Sequence, residues 1–220
     1  MTVATPALPT LAIGAAALYG HLSPGDRYIH VTRDEAFLAL LRRNGIGSLA
    51  GLRILELGCG EGALLRTLLA YGADATRLRG IDVDPRRLRG ARETAGAALA
   101  DVGALPYADN AFDLIVAFTV YSSVLDPDTR RRGAHEAMRT LRFGGLLVVY
   151  DFAVNPTNRA VRPVRATELR ALFAPRRVAI ERLTLAPPIA RALGGRSALC
   201  RPLERLPFLR THLLAAVRRQ

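Results

Sequence analysis

The sequence predicts an α/β protein built on a doubly wound, mostly parallel sheet with helices on both faces. Strand-like apolar runs alternate with helix-like segments from residue 53 to residue 150. Such alternation is typical of parallel strands joined by right-handed crossovers. An apolar run at residues 54–57 also ends abruptly at Gly58, Gly60 and Gly62, and a helical pattern follows it. This break predicts a buried strand that turns through glycine into a helix.

The length of the chain bounds the number of domains. It has 220 residues, of which 50% are hydrophobic, and this is enough for one well-buried domain but short for two. We therefore predict a single domain over residues 1–220. Within it we expect an N-terminal lid and helix at residues 1–47 and a helical insertion at residues 186–206, before the last strand.

The N-terminal part is punctuated by proline and glycine. Its first 30 residues carry four aromatic or imidazole side chains, namely Tyr19, His21, Tyr28 and His30, which suit a lid over a binding site. Thr32 and Glu35 have the spacing of a capping box, so a helix is predicted to begin at Thr32. Gly45 and Gly47 are expected to end it.

The remaining elements follow in alternation. Strands are predicted at residues 53–57, 78–82, 97–100, 113–118 and 145–150, with helices at 62–70, 85–93 and 128–141. A helix near 167–173 and a strand near 177–185 come next. Two prolines at 187 and 188 open the irregular helical insertion, and the apolar run at 208–217 predicts the last strand.

Acidic residues accompany the ends of successive predicted strands. Glu56 precedes the glycine turn, Asp82 ends the second strand, and Asp101 follows the third. The turn lets a ligand approach the backbone, and the helix after it offers free N–H groups. Three acidic groups suit a ligand with an amine, a ribose and an adenine amino group, so we predict S-adenosylmethionine as cofactor. The turn also fits the dinucleotide pattern G-x-G-x-x-A, which keeps an NAD-type oxidoreductase as an alternative.

These motifs resemble those of the class I S-adenosylmethionine-dependent methyltransferases. ILELGCGEG, GIDVDPRRL and ADVGALPYADNAFDLIV are similar to the first four motifs of that family. LRFGGLLVVYDF is similar to its turn and fifth strand, with Phe143 where the family usually has proline. The resemblance covers residues 50–152. It implies a seven-stranded, Rossmann-like sheet whose last strand enters antiparallel between its two predecessors. It also implies cofactor contacts from Glu56, Gly58, Cys59, Gly60, Asp82, Val83, Asp101, Val102 and Phe118.

Methyl transfer to a hydroxyl or amine can require a general base. Many relatives carry histidine just after the fourth strand, whereas this chain has Tyr121-Ser122-Ser123. The catalytic candidates are Asp151, which directly follows the fifth strand and is preferred, together with His30 and Tyr121. His135 and Asp126 have simpler interpretations as a helix-surface residue and a loop residue. No metal site is predicted, because the four histidines and two cysteines lack metal-binding spacing.

Charge is concentrated in the last third of the chain. The net charge is +12 and lysine is absent, and residues 151–220 hold 14 arginines against 4 acidic residues. One interpretation is a solvated basic face; the other is an anionic partner such as a phosphorylated substrate, a membrane surface or nucleic acid. We expect an acceptor pocket formed by the lid and residues 121–128, 151–165 and 187–206. Its predicted arginines are Arg159, Arg162, Arg165, Arg191 and Arg196.

Together these features predict methyl transfer from S-adenosylmethionine to a small-molecule acceptor, possible acceptors including anionic or glycan-like molecules. Oxygen is the preferred acceptor atom, and a faint similarity of FTVYSSVLDPD and YDF to a bacterial subgroup favours a glycan precursor or natural product. An RNA-directed enzyme and a catalytically inactive cofactor-binding protein stay as alternatives. Two cysteines without a disulfide framework, no membrane-length apolar run and no basic leader favour a cytoplasmic protein.

Overall fold

The computed structural model describes residues 23–155 and 160–220. The predictions made for Tyr19, His21 and Arg159 lie outside these residues. The strands are β1 (Ile54–Leu57), β2 (Leu78–Asp82), β3 (Gly96–Leu99), β4 (Phe112–Phe118), β5 (Leu141–Phe152), β6 (Val178–Leu185) and β7 (Arg210–Arg218). The helices are α1 (Pro24–Arg43), α2 (Ala63–Ala70), α3 (Leu88–Arg92), α4 (Pro127–Thr140), α5 (Ala166–Leu172), α6 (Pro187–Ala192) and α7 (Ser197–Glu204), and a 3-10 turn spans Pro207–Leu209.

The seven strands form one sheet in the order β3-β2-β1-β4-β5-β7-β6. Neighbouring strands are parallel except at β7, which pairs antiparallel with both β5 and β6. This confirms the predicted sheet, including the antiparallel last strand between its two predecessors. The strand order reverses between β1 and β4, and open α/β sheets bind ligands at the carboxyl ends of the strands at such a point.

Both faces of the sheet are buried. Leu55, Ile115 and their neighbours on one face pack against α4 and α5, while Leu114 and Val116 on the other face pack against α1, α2 and α3. Alternate residues of a strand point to opposite faces, so a strand covered on both sides is apolar throughout. All four residues of β1 are buried, which holds the glycine turn after β1 on a rigid base.

Helix α1 begins earlier than the sequence indicated. Ser23 is its N-cap, and Pro24 occupies the first helical position, where its missing N–H costs nothing. Thr32 lies inside the helix and donates its hydroxyl to the carbonyl of Tyr28 at 3.0 Å. The predicted helix start at Thr32 is therefore wrong, and Tyr28 and His30 lie on a helix rather than in irregular chain.

The insertion before the last strand folds into α6 and α7 and packs on α1. Tyr28 of α1 joins Leu185, Ala190 and Cys200 in a small separate core. The contact is close, because a Cβ added at Gly25 would lie 2.5 Å from the Cα of Arg191. The N-terminal helix and the C-terminal insertion are thus parts of one packed unit beside the sheet.

Candidate cofactor and acceptor site

The turn after β1 has a backbone conformation that favours glycine. Gly58 and Gly60 have φ values of +65° and +51°, a region that residues with a Cβ rarely adopt. A Cβ at Gly58 would lie 2.9 Å from Val120 Cγ2, and one at Gly60 would lie 2.4 Å from the guanidinium of Arg87. Arg87, which the sequence did not single out, therefore lies directly over the turn.

Asp82 ties the end of β2 to this turn. Its side chain is buried, with Oδ2 accepting from the amide of Gly60 at 2.8 Å and Oδ1 accepting from the amide of Asp84 at 2.9 Å. The guanidinium of Arg87 lies 4.0 Å from the same carboxylate. A carboxylate oxygen can accept more than one hydrogen bond, so Asp82 still has acceptor capacity toward a ligand at the edge of the sheet.

Glu56 is a buried acid in β1, at 4% exposure. Within the described part of the chain its Oε2 has no hydrogen-bond partner. Burial raises the pKa of this carboxyl to about 8, and the negative charge of Asp82 adds to the effect, while Arg33 and Arg66 oppose it. A buried carboxyl with an unused oxygen is suited to a cationic group, because an ammonium would supply both a donor and an opposite charge.

Cys59 has its polar groups engaged inside the protein. Its amide donates to Ile81 and its carbonyl accepts from Gly62, both at 2.8 Å. Its thiol faces Gly80, where an added Cβ would lie 2.8 Å from the sulfur, and burial raises the pKa of the thiol to about 12. The structure thus gives Cys59 a packing role in the turn, and its predicted cofactor contact stays a prediction.

The residues predicted for the adenine side lie at the same edge of the sheet. Val83 follows β2 and is 53% exposed. Asp101 is exposed and its Oδ1 accepts from the amide of Gly103 at 2.7 Å. Val102 is buried and packs near Gly133 of α4. An exposed apolar group beside an exposed carboxylate suits a flat ring with an amino group, so these assignments stay as predictions that the geometry supports.

An aromatic and cationic cluster lies at the end of β4. Phe118 contacts Phe37 of α1 edge-on at 5.5 Å between ring centroids and Tyr150 of β5 at 5.3 Å. The guanidinium of Arg33 lies 5.4 Å from the centre of the Phe118 ring. Arg33 is a site residue that the motifs did not reveal, because it comes from α1, outside the motif region. The one sequence feature that could have indicated Arg33 is its spacing of four residues from Phe37, which places both on the same face of a helix.

Thr119 ends β4 in a strained backbone conformation. Its φ is +56°, which is unusual for a residue with a branched Cβ. Two bonds hold it, because its amide donates to the carbonyl of Tyr150 and its hydroxyl donates to the carbonyl of Phe118, each at 2.7 Å. Such strain occurs preferentially at functional sites, and here it is at the reversal of the strand order.

Two of the three catalytic candidates are enclosed. Asp151 has 0% exposure, and its oxygens accept from the amides of Ser122 at 3.1 Å and Phe152 at 2.8 Å. Burial raises its pKa to about 6. Tyr121 is 1% exposed, and burial, followed by the charge of Asp151, raises its pKa as well. The bond from the amide of Ser122 ties Asp151 to the loop after β4, and the catalytic roles of Asp151 and Tyr121 stay predictions.

The other histidine and acid candidates differ in location. His30 lies on α1, one turn before Arg33 and half-buried, so it shares a helix with the site cluster and stays a catalytic prediction. His135 is exposed on α4, with its side chain at 80%. Asp126 is the N-cap of α4 and accepts from the amide of Thr129 at 2.9 Å. Across residues 23–155 and 160–220 no cluster of His, Cys, Asp and Glu could hold a metal ion.

A cavity of about 1330 Å³ lies between the chain after β5 and helices α4 and α5. Its lining includes four arginines, namely Arg131, Arg162, Arg165 and Arg182. Two of the predicted pocket arginines are among them. Arg191 instead pairs with Asp26 on α1 at 2.9 Å, and Arg196 is the exposed N-cap of α7. The described lining residues include none from 187–206, so this cavity does not combine the insertion with the chain after β5, and the predicted acceptor pocket stays a prediction.

Comparison with known proteins agrees with the motifs and the sheet. A family model described as "Methyltransferase domain" matches residues 54–145. A solved S-adenosylmethionine-dependent methyltransferase from Mesorhizobium loti superposes with a TM-score of 0.58 at 22% identity, over 82% of this chain and 96% of that one. Residues 54–145 thus match a methyltransferase domain, and the sheet has the fold of a solved S-adenosylmethionine-dependent methyltransferase.

Two curated methyltransferases are also similar. A demethylmenaquinone methyltransferase of Clavibacter sepedonicus is 32% identical over 58% of this chain and 52% of its own length. A ubiquinone biosynthesis O-methyltransferase of Cereibacter sphaeroides is 30% identical over 53% of this chain and 47% of its own length. The chain therefore spans about half the length of the curated relatives that it matches.

S-adenosylmethionine, named for the solved Mesorhizobium loti protein, fits the residues at the glycine turn. S-adenosylmethionine carries an ammonium, a ribose and an adenine. The unused buried oxygen of Glu56 suits the first of these groups, and the positive φ values of Gly58 and Gly60 form the tight turn beside it. No helix in the described part of the chain is long and apolar enough to cross a membrane.

Proposed function

We propose that the protein is an S-adenosylmethionine-dependent methyltransferase that transfers a methyl group to a hydroxyl oxygen of a small-molecule acceptor, such as a natural product or glycan precursor. The observation that carries the proposal is the pair of buried carboxyl groups, Glu56 and Asp82, beside the glycine turn. The name of the O-methyltransferase relative supports oxygen as the acceptor atom. The names of both curated relatives also favour an acceptor related to quinones.

S-adenosylmethionine supplies a methyl group on a cationic sulfur, so the main task of the protein is to orient the reactants. Glu56 would accept from the ammonium and Asp82 from the ribose. Arg33 would attract the carboxylate, since it is the cation that lies over the Phe118 ring at the end of β4. Because these three residues come from β1, β2 and α1, they would hold the cofactor from both sides of the sheet edge.

Calorimetry with S-adenosylmethionine and with NAD tests the cofactor half of the proposal. We expect binding of the first and none of the second. Asp82→Ala should weaken binding by roughly 1–3 kcal/mol, the usual cost of losing charge-assisted hydrogen bonds. Asp74→Ala is the matched control, since Asp74 accepts from Thr76 in an exposed turn before β2. Tight NAD binding would refute the class, and unchanged affinity in Asp82→Ala would refute the ribose assignment.

Transfer itself is tested with radiolabelled S-adenosylmethionine and a panel of hydroxylated acceptors, some aromatic and some glycan-like. We expect a methyl ether as product. Normal cofactor binding with no transfer to any hydroxylated acceptor, but transfer to amine or carbon analogues, would refute oxygen as the acceptor atom. The two experiments separate an error about the cofactor from an error about the acceptor.

A further inference from the structure

The segment from α7 through the 3-10 turn exposes large apolar side chains. Leu199 is 46% exposed, Leu206 is 39% exposed and Phe208 is 76% exposed, the last between Pro207 and Leu209. Single exposed apolar residues are ordinary, but several close together on one segment mark a contact surface. We call residues 196–208 the apolar-basic segment.

The backbone of the apolar-basic segment is firmly attached. Cys200, which belongs to this segment, is fully buried. The carboxylate of Glu204 accepts from the hydroxyl of Tyr28 at 2.6 Å and from the amide of Leu185 at 3.2 Å. The guanidinium of Arg210 donates to the carbonyl of Glu204 at 2.5 Å. These bonds hold the backbone that carries the exposed leucines and Phe208 in a fixed position. A fixed backbone lowers the entropy cost of binding a surface.

The exposed charged side chains of this segment are all positive. Arg196, Arg201 and Arg205 are exposed, whereas Glu204, its one acid, is turned inward by the bonds just described. Arg201 also lies 3.6 Å from Glu35 of α1, but an exposed ion pair of this kind contributes little. Apolar side chains flanked by outward arginines match the interface of an anionic bilayer, where lipid tails meet acidic headgroups.

The segment lies at the functional edge of the sheet. Because β5 and β6 are both antiparallel to β7, they run in the same direction, and β6 ends at the carboxyl edge. Residues 186–209 join that end to the start of β7. The apolar-basic segment is therefore at the same edge as the glycine turn, and a surface bound there would face the opening of the site.

We propose that the apolar-basic segment docks the protein peripherally on anionic phospholipid surfaces, with Phe208 and Leu206 entering the headgroup layer. The arginines provide long-range attraction and the apolar side chains provide the anchoring contact. This proposal concerns the surface and does not depend on which cofactor or acceptor the protein uses.

Co-sedimentation with large vesicles tests the proposal. We expect binding to vesicles of equal parts phosphatidylglycerol and phosphatidylcholine, and much weaker binding to phosphatidylcholine alone. Leu206→Ser with Phe208→Ser should weaken binding by about tenfold or more, because burial of one large apolar side chain is worth more than a tenfold change in affinity. Phe143→Ser is the matched control, since Phe143 is 63% exposed but lies near the start of β5, at the opposite edge.

A second pair of variants separates charge from apolar contact. Arg196→Gln with Arg205→Gln should weaken binding about tenfold and reduce its salt dependence. Arg89→Gln with Arg92→Gln removes the same charge from α3 and should have little effect. Melting temperatures of all variants should stay close to that of the parent protein, because the changed side chains are exposed.

Several outcomes would overturn the proposal. Equal binding to neutral and anionic vesicles would exclude recognition of acidic lipid, and unchanged binding after loss of Phe208 and Leu206 would exclude the anchor. A dimer seen by light scattering that Phe208→Ser converts to monomer would make this surface an interface between copies. Salt-dependent RNA binding that needs the arginines but not Phe208 would make it a nucleic-acid surface.

Discussion

Glu56 couples the stability of the ligand-free protein to pH. Its pKa is raised from 4.5 to about 8, chiefly by burial, so the folded protein binds a proton that the unfolded chain has lost at neutral pH. This contribution to stability is complete below the pKa that Glu56 has in the unfolded chain. It is lost as the pH rises through the pKa that Glu56 has in the folded protein. Asp151 shows the same direction of shift, to about 6. The interval between about pH 7 and pH 8 therefore reports mainly on Glu56, because Asp151 has lost its proton there and His212, whose pKa burial lowers to about 3, changes stability only at lower pH.

We expect the free energy of unfolding to fall over that interval in the parent protein, and Glu56→Gln to make the profile flatter. Denaturant titrations at several pH values measure this. Binding of an ammonium beside Glu56 should also expel its proton, because an opposite charge lowers the pKa of a carboxyl. Calorimetry in buffers of different ionisation enthalpy should then show proton release near pH 7 in the parent but not in Glu56→Gln. Equal release from both proteins would contradict the placement of the ammonium.

The site residues that sequence analysis found share one property: each lies where an apolar run of the sequence ends. Glu56 and Asp82 are acids at the ends of apolar runs, so their position at the edge of the sheet follows from strand direction alone. Arg33 and Arg87 lie in helical segments where arginine is frequent. Nothing local distinguishes them, and their place at the site follows from tertiary packing. The enclosure of Asp151 was likewise hidden, since it depends on amides from two separate parts of the chain.

At the scale of elements, Arg130 links three segments around the acceptor side. It is fully buried and donates to the carbonyl of Val124 at 2.6 Å, to Glu168 of α5 at 2.7 Å and to the carbonyl of Arg162 at 2.8 Å. Arg130→Met would leave these acceptors without their donor. We expect a loss of about 3 kcal/mol in the free energy of unfolding, as for other broken buried ion pairs.

Arg131 provides the matched control for this substitution. It is the next residue on the same helix, but its side chain is 65% exposed and pairs with the exposed Asp128. Arg131→Gln should change stability by less than about 0.5 kcal/mol. Denaturant unfolding of both variants measures the difference. Similar losses in the two proteins would show that the contacts of Arg130 contribute no more than a surface charge does.

The elements that the sequence predicted well are those buried on the sheet. Apolar runs bounded by glycine or acids located β1, β2 and β4 to within one residue, because burial on both faces forces continuous apolar sequence. Sequence analysis did not predict the first part of helix α1, because proline and glycine, here Pro24 and Gly25, are typical of a turn. Pro24 stands at the first helical position, and Gly25 allows the contact with Arg191. Only the partner helix α6 explains that pattern, and α6 is distant in sequence.

At the scale of the whole molecule, the candidate cofactor residues and the arginine-lined cavity lie on different halves of the sheet. The glycine turn, Glu56 and Asp82 belong to the β1–β2 side, whereas the arginine-lined cavity lies beyond β5. Arg162, Arg165 and Arg182 are therefore placed away from the candidate cofactor residues. Arg162 and Arg165 are exposed and line the cavity. Planar guanidinium groups bind phosphate or carboxylate through paired N–H bonds.

If this cavity receives an anionic part of the acceptor, Arg162→Gln with Arg165→Gln should raise the KM for an anionic acceptor by about tenfold, since an exposed charge-assisted contact is worth about 1 kcal/mol or more. The affinity for S-adenosylmethionine and the KM for an uncharged acceptor should stay nearly unchanged. Arg170→Gln with Arg177→Gln is the control, because both are exposed arginines from the same region that do not line the cavity. Steady-state kinetics with paired acceptors, alike except for one carboxylate or phosphate, measures the effect. Equal KM values for parent and variant, or a parallel rise in the dissociation constant of the cofactor, would assign these arginines to the solvated surface and leave the acceptor to another face of the same edge.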